Sequence, residues 1–279
     1  MRLLVCALCL SVCVLCRAPI CRAEDARSIV ARAVAADEHS DRLARDYTYK
    51  VHNEIIEHNS TGAATSTHST LDEVLYIGGK RYFHLLEKDG KPLSAAEQKK
   101  EQANLDRAVR DASRLNPAER DKRIADEERD RTRRRDGFKE IPDAFDFRLL
   151  GDDEISGRRV WKIAASPRAS YHGKLHGVLN NVTGTLWIDK IDYNWAKVDA
   201  DVLNPVRLGW FLARVDRGAH VSYEMMRVND ELWVPHNVEL SASARLLLLK
   251  KLNVDQRVTF SDYRKFQTDS RIVSTDVEP

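Results

Sequence analysis

Apolar residues near the start of the chain recur at two different spacings. In the segment 24–45 they recur at helical spacing between charged residues, at Ile29, Val30, Ala33 and Val34. That pattern predicts an amphipathic helix that lays one apolar stripe on the rest of the fold. The spacing then changes to two, with polar residues between Tyr47, Tyr49, Val51 and Ile55. Alternation of this kind predicts a β-strand.

Two-residue turns divide much of the remaining pattern into short strands. Gly78-Gly79 separates 71–77 from 80–86, and Asn229-Asp230 separates 220–228 from 231–240; both dipeptides favour tight hairpins. Further strands are predicted at 145–149, 160–164, 186–188, 195–202, 244–249 and 255–266. We predict a loop at 165–181, and Asn204-Pro205 indicates a short helix that ends at Phe211.

Residues 94–140 interrupt this pattern with a strongly charged segment. Between positions 97 and 140 there are 14 basic and 12 acidic residues and few apolar ones. Ser94 and Glu97 have the spacing of a capping box, and Asn116-Pro117 divides the segment into two predicted helices. Because a helix that is polar on all sides cannot be buried, we expect a solvated arm or lid inserted between strands.

The order of these elements predicts the fold class. Sequential strands that are joined by tight turns pair in the antiparallel direction. We therefore expect an α+β fold, with a single strongly curved antiparallel sheet, an N-terminal helix and an inserted charged helical arm.

The first residues have the pattern of a secretory signal. Arg2 precedes a short apolar run, and Cys21-Arg22-Ala23 offers small residues for cleavage after Ala23. The run is shorter than the roughly 20 residues that cross a bilayer. We expect 1–23 to be a cleaved signal peptide and 24–279 to form the mature domain, in the periplasm or secreted. The alternative is an uncleaved N-terminal anchor.

Cleavage would change the chemistry of the chain. All five cysteines lie within the predicted signal, so the mature chain would have no disulfide and no thiolate nucleophile. Without the three signal arginines, 42 basic residues face 43 acidic ones. That balance gives no support to nucleic-acid binding, and no nucleic-acid partner is expected.

The stretch GTLWIDKIDYNWAKVDADV (184–202) has the pattern Gly-x-Leu/Val-Trp-Ile/Val-Asp, followed by a turn and a return strand. It resembles a strand pair of the LolA/LolB-like superfamily of envelope lipoprotein carriers. The pair 221–228 and 231–240, with Trp233-Val234-Pro235, and the late strand VTFSDYRKF (258–266) are also similar. The resemblance implies a half-open barrel of antiparallel strands whose concave, apolar face holds acyl chains. The insert at 94–140 departs from the compact carriers.

Alternation in the 184–202 strand pair selects the candidate cavity residues. On one face lie Leu186, Ile188, Val198, Ala200 and Val202. We expect this face to line a cavity, whereas Trp187, Asp189, Lys197 and Asp199 face outward. Trp210 and Phe211 are candidates for a lid that touches the ligand or a membrane. For each of these residues the alternative is ordinary core packing.

No motif points to catalysis or to a cofactor. His172 and His176 have a spacing that suits a metal only on a helix, and their neighbouring glycines indicate a loop. No H-E-x-x-H, P-loop or G-x-S-x-G occurs. We therefore expect no catalytic residue, no metal and no cofactor. The basic residues of the run 129–135 suit anionic lipid head groups, but the interleaved acids favour a solvated helix face.

Three functional hypotheses follow. The first is an exported envelope protein that binds or carries lipid or lipoprotein acyl chains in an apolar cavity. The second is a non-enzymatic envelope scaffold, in which the charged arm binds a protein partner or the membrane surface. The third is a hydrolase whose site is assembled in space, since catalytic triads have no fixed sequence order.

Overall fold

A computed structural model describes residues 25–208, 213–246 and 250–265 of the chain. The predicted signal peptide and the lid candidates Trp210 and Phe211 lie outside these ranges. The helices are α1 (Ala26–Leu43), α2 (Ala95–Ser113), α3 (Pro117–Asp136), α4 (Ile141–Ala144) and α5 (His176–Leu179). The strands are β1 (Tyr47–His58), β2 (Ala64–Ile77), β3 (Lys80–Lys88), β4 (Lys91–Pro92), β5 (Phe145–Ile155), β6 (Arg158–Pro167), β7 (Val182–Asp189), β8 (Trp195–Val202), β9 (Val206–Leu208), β10 (Ala213–Val215), β11 (His220–Val228), β12 (Leu232–Leu246) and β13 (Lys250–Lys265).

All 13 strands belong to one antiparallel sheet. The main path runs β4-β3-β2-β1-β13-β12-β11-β8-β7-β6-β5, and the short hairpin of β9 and β10 attaches to β12. Within the described ranges, the end strands β4 and β5 do not pair with each other. The sheet is therefore open, and the predicted α+β class with a single antiparallel sheet is confirmed.

The two predicted hairpin turns have the backbone that their sequences favour. Gly78 and Gly79 have φ values of 57° and 83°, and Asn229 and Asp230 have φ values of 50° and 56°. Positive φ at both central residues is the requirement of the tightest hairpin turn. Gly78 and Gly79 also lie against Ala112 of α2 and Ile124 of α3, where a Cβ would overlap those side chains. The β2–β3 turn thus supports both inserted helices.

Helix α1 packs on one face of the sheet, as its apolar stripe predicts. Ile29, Val30 and Ala33 are fully buried in a core that includes Ile163, Leu186, Ile188, Trp195 and Trp233. Ser40 fixes the far end of the stripe: its hydroxyl donates to Asn194 Oδ1 at 3.1 Å and accepts from the Trp233 backbone N–H at 3.4 Å. Apolar burial and two buried hydrogen bonds together hold α1 against β7, β8 and β12.

The sheet curves around the space beside α1. Arg81 on β3 and Val234 on β12 line one cavity, although four strand spacings separate β3 from β12 in the sheet. At about 4.8 Å per spacing, a flat sheet would hold these strands roughly 19 Å apart. A curved sheet with a concave face brings them together, as the sequence predicts.

The charged insert forms the two predicted helices. Each begins with a capping box, with Ser94 and Glu97 at α2 and with Asn116 and Glu119 at α3. Of the two expected forms, a solvated arm or a lid, the solvated arm is wrong for one face of α3. Arg131 and Arg135 are only 11% and 16% exposed, because both point back towards α1.

Two local predictions are also wrong. Val206–Leu208 is a strand and not a helix, because Val206, Arg207 and Leu208 pair with β10. The predicted loop at 165–181 contains the short helix α5.

Asp189 was expected to face outward and is instead fully buried at the end of β7. Its carboxylate accepts hydrogen bonds from Arg158 Nε at 2.6 Å and from the backbone N–H of Asp192 at 2.7 Å. Burial raises the pKa of Asp189. The Arg158 guanidinium and the backbone N–H groups of Asp192 and Ile191 outweigh burial and hold this pKa below its usual range. The carboxylate therefore closes the β7–β8 turn and does not face solvent.

A close approach between β7 and β8 explains the glycine at position 184. It pairs with Ala200 across β7 and β8, and a Cβ at this position would overlap the backbone carbonyl oxygen of Asp199. We predict that Gly184→Ala lowers the free energy of unfolding by about 1–3 kcal/mol, as overpacking against an immobile backbone does.

The matched control is Gly177→Ala in α5, where a Cβ would meet no atom within 4 Å. We expect this variant to stay within about 0.5 kcal/mol of the unaltered protein in urea unfolding. Equal stability of the two variants would contradict the close approach at Gly184.

Candidate functional site

Four charged side chains join α1 to α3 above the concave face, and we call them the clasp: Asp37, Asp41, Arg131 and Arg135. An Arg131 terminal nitrogen (Nη2) lies 2.8 Å from Asp41 Oδ1, and the corresponding nitrogen of Arg135 lies 2.7 Å from Asp37 Oδ2. Arg135 also reaches Asp41 Oδ2 at 2.8 Å through its second terminal nitrogen. The clasp therefore links the two helices by three short ion pairs.

The spacing of the clasp residues explains the geometry. Asp37 and Asp41 are four residues apart on α1, and Arg131 and Arg135 are four residues apart on α3. Residues at this spacing lie on one face of a helix, one turn apart. Two aspartates on one helix therefore meet two arginines on the other along matching faces.

The clasp places its two carboxyl groups in different electrostatic states. Burial raises the pKa of Asp41, but hydrogen bonds from Arg131 and Arg135 outweigh burial and hold that pKa below its usual range. For Asp37, burial dominates over the attraction of Arg135, and the neighbouring Asp41 adds repulsion, so the pKa of Asp37 is raised. Asp41 is thus the carboxylate that the arginines stabilise most.

Two further ion pairs fix α3 at its sides. Arg45, just after α1, lies 2.5 Å from Glu128, and Arg81 Nε on β3 lies 3.4 Å from Glu127. Glu127 and Glu128 are adjacent on α3. The helix is therefore tied on one side to α1 and on the other to β3, across the concave face of the sheet.

The first cavity lies beneath the clasp on the side of β1–β3 and has a volume of about 320 Å³. Aromatic rings form much of its wall, and Tyr49 stacks on Tyr263 with 5.2 Å between ring centroids. Its lining residues are Asp41, Ala44, Tyr49, Tyr76, Arg81, Arg131, Arg135, Val234, Pro235, Phe260 and Tyr263.

The second cavity adjoins the first on the side of β7, β8 and β11 and has a volume of about 270 Å³. Asp41, Ala44, Arg135 and Pro235 line both cavities. The rest of its wall is mostly apolar. The remaining lining residues are Asp37, Phe138, Ile141, Leu186, Trp195, Val198, Tyr223, Met225 and Trp233.

The structure separates the predicted cavity residues into three groups. Leu186 and Val198 pair across β7 and β8 and line the second cavity. Ile188 is fully buried in the core under α1. Ala200 and Val202 are half-buried further along β8 and do not line either cavity, while Trp210 and Phe211 lie outside the described residues.

The face opposite Leu186 has a polar character, as alternation predicts. The Trp187 indole N–H donates to Asp153 at 3.0 Å, and the amines of Lys162 and Lys197 lie 5.2 and 5.7 Å from its ring. Trp187 therefore belongs to the convex face and has no part in the cavities.

Neither the clasp nor the aromatic wall of the first cavity is among the residues predicted from the sequence. The sequence does contain one indication of the clasp: Asp37 and Asp41, like Arg131 and Arg135, are residues of the same charge four positions apart. Such a pair destabilises an isolated helix. A like-charged pair becomes favourable when a pair of opposite charge lies beside it. Because Asp41 and Arg131 are 90 residues apart, no local sequence pattern shows that they meet.

Within the described ranges, no group of three or more His, Cys, Asp or Glu side chains could hold a metal ion. None of the described helices is long and apolar enough to cross a membrane.

No protein-family model and no curated protein matches the chain. Solved structures do match. An outer-membrane lipoprotein-sorting protein domain from Vibrio parahaemolyticus is 13% identical and has a TM-score of 0.33, with 87% of this chain and 95% of that chain covered. A LolA superfamily protein from Nitrosomonas europaea is 10% identical with a TM-score of 0.31, and the match covers 88% of this chain and 94% of that one.

A third match is to the complex of MucA and MucB from Pseudomonas aeruginosa, with 13% identity and a TM-score of 0.25 over 88% of this chain and 100% of that one.

The clasp gives a stability prediction. Asp41→Asn leaves Arg131 and Arg135 without their shared carboxylate, in a site where both arginines are mostly buried. We expect a loss of about 1–2 kcal/mol in the free energy of unfolding, reduced from the value for a fully buried pair because Asp41 is partly exposed.

The control for Asp41→Asn is Asp130→Asn on the outer side of α3, where Asp130 pairs with Arg133 at 3.7 Å and both are exposed. We expect less than about 0.5 kcal/mol for this exposed pair. The interpretation is wrong if both variants unfold at the same urea concentration.

The pKa directions in the clasp predict how these effects depend on pH. Because the pKa of Asp41 is lowered in the folded state, its stabilisation is complete above the ordinary value of 3.8 and is lost as the pH falls through the folded pKa. The stability difference between the unaltered protein and Asp41→Asn should thus be constant near neutral pH and should narrow only below about pH 3.8.

Asp37 should show the opposite dependence. Its raised pKa means that its stabilisation is complete below the ordinary value of 3.8 and is lost as the pH rises through the folded pKa. Urea unfolding of Asp37→Asn and Asp41→Asn, measured at pH values below and above 3.8, tests both dependences. Parallel pH profiles for the two variants would refute the assignment.

Proposed function

We propose that this protein is exported to the cell envelope and there binds an acyl chain of a lipid or lipoprotein in the two cavities on the concave face. The observation that carries the proposal is the wall of the second cavity. Leu186, Trp195, Val198, Met225 and Trp233 come from four different strands and surround one space of about 270 Å³. Apolar walls with few polar groups are typical of sites for apolar ligands.

Burial of the chain supplies the binding energy in this proposal. Each methylene that leaves water contributes about 0.8 kcal/mol. Ten buried methylenes contribute roughly 8 kcal/mol before the costs of ordering the ligand and the protein. Acyl chains therefore need no polar recognition motif, which agrees with the lack of one in the sequence.

The way α3 is held supports its role as a removable cover. Ile124, the central apolar residue of α3, remains 47% exposed. Ion pairs at the clasp and at Glu127 and Glu128 hold α3 in place, together with the contact of Ile124 with Gly79. Moving α3 would break these ion pairs, whose charged groups water can solvate.

The alternative of a scaffold with a free charged arm receives less support. Arg131, Arg135, Glu127 and Glu128 are all engaged with α1, β3 or the turn after α1. Exposed arginines on the outer side, such as Arg129 and Arg133, have aspartate partners within α3. A protein partner would meet a helix whose inner face is already occupied.

Filling the second cavity tests the proposal. Val198→Trp places a large side chain in the space between Leu186 and Tyr223, and we expect it to reduce the affinity for a fluorescent fatty acid at least about tenfold, since the displaced chain loses buried methylenes. The measurement is fluorescence titration of the purified mature protein, together with mass spectrometry of the lipid that copurifies.

Ser222→Trp is the matched control. Ser222 pairs with Asp199 on the neighbouring strand and faces away from the cavity that Tyr223 lines. We expect unchanged uptake for this variant. If the unaltered protein neither carries lipid nor takes up fatty acid, or if both tryptophan variants bind equally well, the proposed site is wrong.

A further inference from the structure

The two adjoining cavities differ in charge. Among the described residues that line the first cavity are three arginines, Arg81, Arg131 and Arg135, and one carboxylate, Asp41. The described lining of the second cavity has the reverse balance, with Asp37 and Asp41 against Arg135. An anion is therefore attracted to the first cavity and repelled from the second.

From this asymmetry we propose that the ligand is a single-chain amphiphile with an anionic head group, a carboxylate or a phosphate. The head group binds beside Arg81 and Arg131 in the first cavity, and the chain extends under Arg135 into the second. This inference rests on the proposed function. It specifies the chemical class of the ligand and which cavity holds its head group.

The cavities adjoin: Asp41, Ala44, Arg135 and Pro235 border both of them. In the proposed placement the ligand spans these four residues. The apolar residues of the second cavity suit an alkyl chain. A ligand in the reverse direction would set its anion against Asp37 and Asp41.

The polar groups of the first cavity suit an anion. Arg81 is partly exposed and contacts Glu127 through Nε at 3.4 Å, a longer pairing than those of the clasp. An incoming carboxylate or phosphate adds a negative charge where arginines outnumber acids. Charge-assisted hydrogen bonds to arginine are among the strongest in proteins.

Tyr49 lies on the same wall. Burial raises the pKa of Tyr49, and a hydrogen bond from Arg81 offsets only part of that effect. The hydroxyl of Tyr49 therefore keeps its proton at physiological pH and remains a hydrogen-bond donor to a bound anion. An arginine and a tyrosine hydroxyl together supply positive charge and directed donors at one end of the site.

The test compares ligands that share one alkyl chain and differ only in the head group. Dodecanoate, dodecyl phosphate and uncharged dodecanol are titrated at pH 8 against the mature protein, with displacement of the neutral fluorescent probe N-phenyl-1-naphthylamine as the readout. We expect both anions to bind roughly tenfold more tightly than dodecanol.

Arg81→Gln should reduce the affinity for both anions about fivefold to tenfold and change that for dodecanol less than about twofold. Arg81→Lys should restore part of the loss, because it keeps the charge without the planar fork. Arg257→Gln is the matched control, since Arg257 is exposed and pairs with Glu239 away from both cavities. We expect it to bind all three ligands like the unaltered protein.

Each other outcome has a distinct meaning. Equal binding of dodecanol and the anions, or equal loss of all three in Arg81→Gln, overturns the head-group site while the proposed function stands. Failure of all three ligands to bind overturns both proposals. Competition by inorganic phosphate as strong as that by dodecyl phosphate identifies a free-anion site and overturns the amphiphile.

Discussion

An open sheet with an apolar concave face must be covered, and in this protein two kinds of contact provide the cover. Helix α1 uses apolar burial, with Ile29 and Val30 in a continuous core. Helix α3 uses the clasp, in which Arg131 and Arg135 reach the carboxylates of Asp37 and Asp41. Apolar contacts cover one part of the concave face with packed core, whereas ion pairs hold α3 across the part that remains hollow.

This division of contacts connects the fold to the proposed function. Where α1 covers the sheet, apolar side chains fill the space between them, as at Ile188, which is fully buried beneath α1. Under the clasp, the arginine and aspartate side chains bridge the gap and leave two cavities below. Cover and cavity thus have a common origin in four side chains. Two of them, Arg131 and Arg135, join Arg81 in the arginine-rich lining of the first cavity on which the proposed anionic head group depends.

Much of the fold could be predicted because its signals are local. Alternation identified most strands, and Ser94 and Asn116 marked the starts of the inserted helices. The clasp could not be predicted, since Asp41 and Arg131 meet only through the tertiary fold. Asp189 shows the same limit: alternation placed it outside, but the half-buried Arg158, from the neighbouring strand, provides its partner. Leu186 and Val198 lie on the wall of the second cavity, whereas the aromatic wall around Tyr49 depends on the curvature that brings β1 near α3.

The most direct test of the account is residue-level mapping of a bound acyl chain. A fatty acid with a diazirine near its methyl end would be bound to purified protein that comprises residues 24–279, activated by light and located by tandem mass spectrometry. The account predicts saturable adducts on second-cavity residues such as Val198, Met225 and Trp233. Adducts concentrated on the convex face, at Trp187 or Ser222, or labelling that does not saturate, would contradict it.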